Sequence, residues 1–174
     1  MKYTLRTPDA RDQQSLLYNS LEPVARGLGM ALLELSLFQS KGRKGAPGGV
    51  QIKVTAYKNG TMGVEDCSRL HRAILPRLEL AFPGADLSLE VSSPGIGRLI
   101  KDGNELLHFI GRGIKCYTTN GAGGSGWIGG ILSIVDEKGF TLVTQDGKVQ
   151  LPYETVAKAK LDEALDIQKN ATGG

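Results

Sequence analysis

Apolar residues recur at helical spacing over Leu16, Leu17, Leu21, Val24, Ala25 and Leu28, so the chain opens on an amphipathic helix. Thr7-Pro8-Asp9 suits its start: threonine can cap, proline fits the first helical position, and aspartate faces the positive end of the helix dipole. Pro23 lies inside the pattern, lacks an N–H and is expected to kink the helix or split it, and Gly27 and Gly29 end it. The period then changes to two. Residues 30–38 read as a strand with Leu33, Leu35 and Leu37 on one face and Glu34 and Ser36 on the other. Residues 40–49 form a glycine-rich basic hairpin loop, and 50–57 is the return strand with Val50, Ile52, Val54 and Ala56 inward. After a turn at Lys58-Asn59-Gly60, a second helix spans 64–82 with the stripe Cys67, Leu70, Ile74, Leu78 and Ala81. Pro76 weakens it locally and Pro83-Gly84 stops it; Leu87, Leu89 and Val91 then alternate as a third strand.

Ser92-Ser93-Pro94-Gly95-Ile96-Gly97 is too rich in turn formers to be regular, and the domain boundary is expected here, dividing the chain into 1–95 and 96–174. The first part reads α-β-β-α-β, a three-stranded sheet with two helices on one face, and the fold class is α+β. The second part opens on a short helix at 104–110, with Asp102 as its cap. Five short strands follow, at 114–118, 127–135, 140–144, 148–151 and 157–161, which suggests a small all-β barrel. The last connection, 152–156, reads as one 3₁₀ turn, and the polar tail beyond Leu161 is expected to fray.

Composition narrows the function classes. Across 174 residues the apolar share is 40% and the charged share 22%, values of a folded chain, while the 24 glycines favour short elements joined by turns. A net charge of +3 permits nucleic-acid contact without requiring it. Cys67 and Cys116 have no motif spacing and read as reduced thiols on core faces. Neither an apolar leader at the start nor a membrane-length apolar run is visible, so a soluble, cytoplasmic protein is expected; its expected form is a monomer.

Candidate chemistry is sparse. His71 and His108 fall on different expected domains and in no metal-binding motif, so a metal site is not indicated. The glycine run 121–126 lacks a following Lys-Ser/Thr and precedes a strand; a phosphate cradle needs a helix N-terminus there, and a hairpin loop explains the run. Ser92 and Ser93 sit in no nucleophile elbow and are expected to bond to nearby backbone. Glu65-Asp66 at the start of the second helix is explained by the helix dipole. Positive charge is the more useful signal. Lys41, Arg43 and Lys44 share the hairpin loop; Arg69, Arg72 and Arg77 share the polar side of the second helix; Arg98, Lys101, Arg112 and Lys115 fall around the expected junction. Three such groups raise the case for an anionic partner. Aromatic residues interleave little with them, so a base-stacking platform for single-stranded RNA is not indicated.

Leu89-Glu90-Val91-Ser92-Ser93-Pro94-Gly95 resembles the L-E-V-S-S-P-G hallmark of the RimP family of ribosome maturation factors. That family usually continues L-D-R-P-L; here the run is Ile96-Gly97-Arg98-Leu99-Ile100, with the arginine kept and Gly97 and Leu99 in place of aspartate and proline. Val64-Glu65-Asp66-Cys67, Phe109-Ile110-Gly111, Pro152-Tyr153-Glu154 and Ala157-Lys158-Ala159-Lys160-Leu161 resemble further family segments in the same order. The resemblance implies an α/β domain followed by an SH3-like (Sm-like) barrel. It also implies a non-catalytic role, without cofactor, in late maturation of the small ribosomal subunit, next to rRNA and a decoding-region ribosomal protein. The expected contact residues are Arg98, Arg69, Arg72, Lys41, Arg43, Lys44, Arg112 and Lys115, with Ser92, Ser93, Pro94 and Gly95 as the domain junction. A general RNA-binding small barrel unrelated to the ribosome is the second reading, and an enzyme acting on a phosphorylated small molecule is the third.

Overall fold

The computed structural model describes residues 12–42, 48–59, 62–95, 97–121 and 124–166. The chain forms two compact units that divide between Pro94 and Gly95. Among the described residues, no helix is long and apolar enough to cross a membrane.

The first unit runs α1 (Gln13–Gly27), β1 (Ala31–Gln39), β2 (Gly49–Tyr57), α2 (Val64–Ala81) and β3 (Asp86–Ser92). Its sheet has the order β1-β2-β3, antiparallel between β1 and β2 and parallel between β2 and β3. A parallel pair needs a long crossover, which α2 supplies. Both helices and the inner face of the sheet share one core, in which Leu21, Ile52, Leu70, Ile74 and Leu78 are fully buried. Burying each such side chain contributes roughly 1.5–3 kcal/mol.

Three expectations change here. First, α1 runs unbroken through Pro23, which lies on its exposed side, where the one carbonyl that loses its N–H donor can turn to water. The expected Thr7-Pro8-Asp9 start lies outside the described residues. Second, a bulge between Leu32 and Glu34 resets the alternation of β1: of the expected Leu33, Leu35 and Leu37 only Leu35 is buried, Leu32 is buried in place of Leu33, and Leu37 is half-buried. Tyr18 anchors the bulge by donating its hydroxyl to the Leu32 carbonyl. Third, the α2 stripe is buried only over its central turns: Cys67 is half-buried and Ala81 exposed. Gly29 ends α1 as expected, with φ +73°. Its N–H donates to the Arg26 carbonyl and that of Met30 to the Ala25 carbonyl, both at 2.9 Å, a Schellman closure that favours glycine.

The second unit runs α3 (Gly103–Leu107), β4 (Gly113–Gly121), β5 (Gly124–Val135), β6 (Gly139–Thr144), β7 (Gly147–Pro152), a 3₁₀ turn (Tyr153–Thr155) and β8 (Val156–Leu161). The sheet order is β7-β6-β5-β4-β8, antiparallel throughout: a four-strand meander, β4 to β7, with a fifth strand, β8, returning beside the first, the order of a small SH3-like barrel. The 3₁₀ turn stands where the sequence places it, held by buried Tyr153, which donates its hydroxyl to the Asp136 carbonyl at 2.8 Å. Asp102 caps α3 by accepting from the Glu105 N–H at 3.0 Å. The helix is shorter than expected, because the chain tightens into i→i−3 bonds and the Gly111 N–H is drawn to the Leu132 carbonyl at 2.7 Å.

Two expectations fail in this unit. The glycine run is largely strand: Gly121 and Gly124 face each other as the last pair of the β4–β5 ladder, and residues 124–126 belong to β5. Ladder bonds are made by backbone, so glycines extend a hairpin as readily as they loop. The tail does not fray at once either. Residues 163–166 form a helical turn, and Asp166 accepts from the Gly113 N–H at 2.6 Å and pairs with Arg112 at 2.9 Å. The end of the tail, 167–174, lies outside the described residues.

Candidate nucleic-acid interface

The alternation of β4 sends Ile114 and Cys116 into the barrel core and Lys115 and Tyr117 outward. On β8, Ala159 and Leu161 point in, so Lys158 and Lys160 point out. The register sets Tyr117 between Trp127 on β5 and Lys158 on β8, and Lys115 between Gly129 and Lys160. One sheet face thus gathers Tyr117, Trp127, Lys115, Lys158 and Lys160. Trp127 is the chain's single tryptophan and is 48% exposed. Tyr117 meets it edge-on with ring centroids 5.5 Å apart, and the ammonium groups of Lys115 and Lys160 lie 5.7 and 5.5 Å from its ring centroid. Cations at that range are held by the ring quadrupole.

No Asp or Glu occurs in β4, β5 or β8. Among the described residues, Lys115, Lys158 and Lys160 have no carboxylate within ion-pair distance. The nearby Asp166 is already paired with Arg112. The face therefore offers ammonium donors and exposed aromatic surface to an anion that carries rings. The sequence, in which aromatic and basic residues interleave little, gives no sign of this grouping. Strand alternation marks each of these residues as outward, but only the β8–β4–β5 pairing brings them together.

The expected contact residues are dispersed. Arg69 and Arg72 sit exposed on α2, within 3.9 Å of Asp66 and 3.3 Å of Glu65. Lys41 is exposed, while Arg43 and Lys44 lie outside the described residues. Lys115 joins the Trp127 face. Arg98 is turned inward: its side chain is 12% exposed and pairs at 2.5 Å with Glu105, which is 5% exposed and also accepts from the Lys101 N–H at 2.8 Å. Arg112 is committed to Asp166.

At the expected junction, Ser92 closes β3 opposite Thr55, Ser93 and Gly95 are exposed, and Pro94 is half-buried. The hydroxyls of Ser92 and Ser93 make no hydrogen bond among the described residues, contrary to expectation. Beyond Gly95 the chain turns, with the Arg98 N–H bonded to the Gly95 carbonyl at 3.1 Å, and residues 98–100 run along β8. Both departures from the family pattern have a physical reading here. Gly97 has φ +68°, which favours glycine. The bonds to β8 use the Arg98 carbonyl and the Ile100 N–H, so a proline at position 99 would cost no bond to β8.

Other titratable groups serve structure. The Lys58 ammonium, followed by the Gly63 N–H, holds the Asp66 carboxyl below its ordinary range. Burial pushes the Cys116 thiol up to about 12, which makes it an inert core thiol. Among the described residues no cluster of histidine, cysteine and carboxylates has the make-up of a metal site.

Residues 20–97 match the family model of the RimP N-terminal domain. Over 147 residues, 84% of this chain, it is 31% identical to the ribosome maturation factor RimP of Borrelia turicatae, covering 94% of that protein. The namesake proteins of Borrelia recurrentis and Borrelia hermsii are 31% and 33% identical over the same shares of both chains.

Proposed function

The chain belongs to the RimP family of ribosome maturation factors, and from that premise we propose that it binds the free small (30S) ribosomal subunit and assists its late assembly in the cytoplasm, without catalysing a reaction. The observation that carries this reading is the span of the likeness. It takes in 84% of this chain and 94% of its relatives, too much to be confined to one unit, so the role of the whole relative is the one to carry over.

The mechanism is differential binding. A factor that holds one folded arrangement of rRNA and a decoding-region ribosomal protein more tightly than its competitors shifts the population toward it. Shape and charge count for more than base identity on folded RNA. The proposed contacts are Arg69 and Arg72 on α2, Lys41 with the adjoining Arg43 and Lys44, and Lys115 on the Trp127 face. Arg98 and Arg112, whose guanidinium groups are taken up by Glu105 and Asp166, are proposed to position backbone instead. Ser92, Ser93, Pro94 and Gly95 are proposed as the junction coupling the two units, and the working form is a monomer.

Sedimentation of the tagged chain with cell extract tests the proposal. Co-migration with free small subunits, and not with joined ribosomes or large subunits, is the expected result. Migration with large subunits, or equal competition by bulk RNA, would sink it and favour the general RNA-binding reading. A charge-reversed Arg69→Glu/Arg72→Glu variant is expected to weaken association; unchanged association would remove α2 from the contact set.

A further inference from the structure

We infer that the Trp127 face of the barrel binds an unpaired RNA segment, with a base stacked on the indole and flanking phosphates held by Lys115, Lys158 and Lys160. The inference deepens the proposed function and rests on it, since it supplies the class of ligand that one surface takes on the ribonucleoprotein.

Four observations combine. The indole is 48% exposed, whereas tryptophan is on average highly buried. It is braced by Tyr117 on the neighbouring strand, which fixes the ring and adds a second aromatic surface. Two ammonium groups stand over the ring, 5.5 and 5.7 Å from its centroid; a stacking base would move them aside, toward the phosphates that flank it. The three strands that build the face contain no acidic residue, so the side chains of the face itself carry charge of one sign only.

Each feature discriminates. Lysines alone would hold any polyanion, duplex or single-stranded. An exposed ring beside them favours a ligand that pairs anions with flat faces at nucleotide spacing, as single-stranded nucleic acid does. A duplex keeps its bases stacked inside and offers the indole nothing to stack on. An acidic polypeptide lacks the rings and is the competing ligand class. The rigid strand framework limits the ordering entropy lost on binding, because Lys115, Tyr117 and Trp127 already stand in register.

The single tryptophan makes the test direct, because fluorescence of the full chain reports this face alone. Titration with an unstructured RNA octamer is expected to quench Trp127 saturably, while a perfect RNA duplex and poly-aspartate do so weakly or without saturation. With a labelled octamer, Trp127→Ala is expected to lower affinity roughly five- to hundred-fold, the range for losing one stacked base. Trp127→Phe should recover much of that loss, which shows that the ring and not the fold is responsible. Lys115→Gln and Lys160→Gln should each reduce the slope of log affinity against log salt by about 0.7, the value for one single-strand phosphate contact. Absence of saturable quenching, equal binding of duplex or poly-aspartate, or full affinity in Trp127→Ala would overturn the inference.

Sedimentation with small subunits separates this inference from the one beneath it. Co-migration without octamer binding rejects the stacking face and leaves the proposed function standing. Octamer binding that needs Trp127 but comes without co-migration rejects the ribosomal role and leaves the face.

Discussion

Replacing Arg98 by methionine keeps most of the side chain's volume and removes its charge. Glu105 is then left 5% exposed without its guanidinium partner. Breaking a buried pair by removing one member costs about 3–5 kcal/mol, chiefly through the charge left behind. The Lys101 N–H still donates to Glu105 at 2.8 Å, and that charge-assisted bond limits the loss. The expected cost is therefore about 3 kcal/mol, on the order of 15 °C in the unfolding midpoint of so small a unit. Glu105→Gln should destabilise by less, because it removes the charge that the guanidinium faces but leaves an amide oxygen that can accept from it. The double variant should cost less than the two singles together by about 2 kcal/mol or more, since no charge is left alone. Trp127 lies in the same unit and is the sole tryptophan, so thermal or urea unfolding followed by its fluorescence reads this unit alone. A cost under about 1 kcal/mol for Arg98→Met, or a strictly additive double variant, would show that the pair is solvated and refute the reasoning. The result also bears on function: poor subunit association by an Arg98 variant counts as loss of a contact only if its stability is intact.

Gly139→Ala should destabilise the barrel by about 2–4 kcal/mol, because the added carbon would stand 2.2 Å from the Leu151 carbonyl oxygen on the facing strand; urea midpoints check it, and a neutral outcome would mean β6 and β7 are less closely apposed. Cys116 keeps its proton in the folded state up to about 12 while the unfolded thiol ionises near its ordinary 9.0, so its contribution is present below pH 9 and lost as pH rises toward 12, by up to about 1.4 kcal/mol per pH unit. Stability curves of the parent and Cys116→Ala over that range should diverge in slope. The Asp66 carboxyl has its pKa lowered by Lys58, so its contribution holds above the ordinary 3.8 and fades as pH falls through the lower folded value; an NMR titration midpoint at or above 3.8 would contradict this. Asp166→Ala should release the turn at 163–166 from the Gly113 N–H and Arg112, and faster proteolytic clipping beyond Leu161 is the readout.

The architecture was legible from the sequence because periodicity reports burial directly. Val50, Ile52, Val54 and Ala56 alternate and are buried; Leu70, Ile74 and Leu78 recur by four and are buried. Gly29, Asp102 and the 3₁₀ turn at Tyr153 were readable because caps and turns depend on neighbours in the chain. Reading failed where the outcome hung on distant partners. The bulge at Leu33 depends on how β1 pairs with β2, and helix continuity through Pro23 on which side of α1 faces solvent. Arg98 looked like a surface cation because nothing local announces that Glu105 will meet it inside the barrel unit. The Trp127 face was invisible for the same reason. Its residues come from three strands spread over 115–160, each reading as an ordinary polar edge. Sequence periodicity determines which way a side chain points, because that follows from the backbone repeat of a single segment. Which strand lies next to which, and hence which outward residues become a surface, is settled only by long-range pairing, through backbone hydrogen bonds and a shared core that carry no local signature.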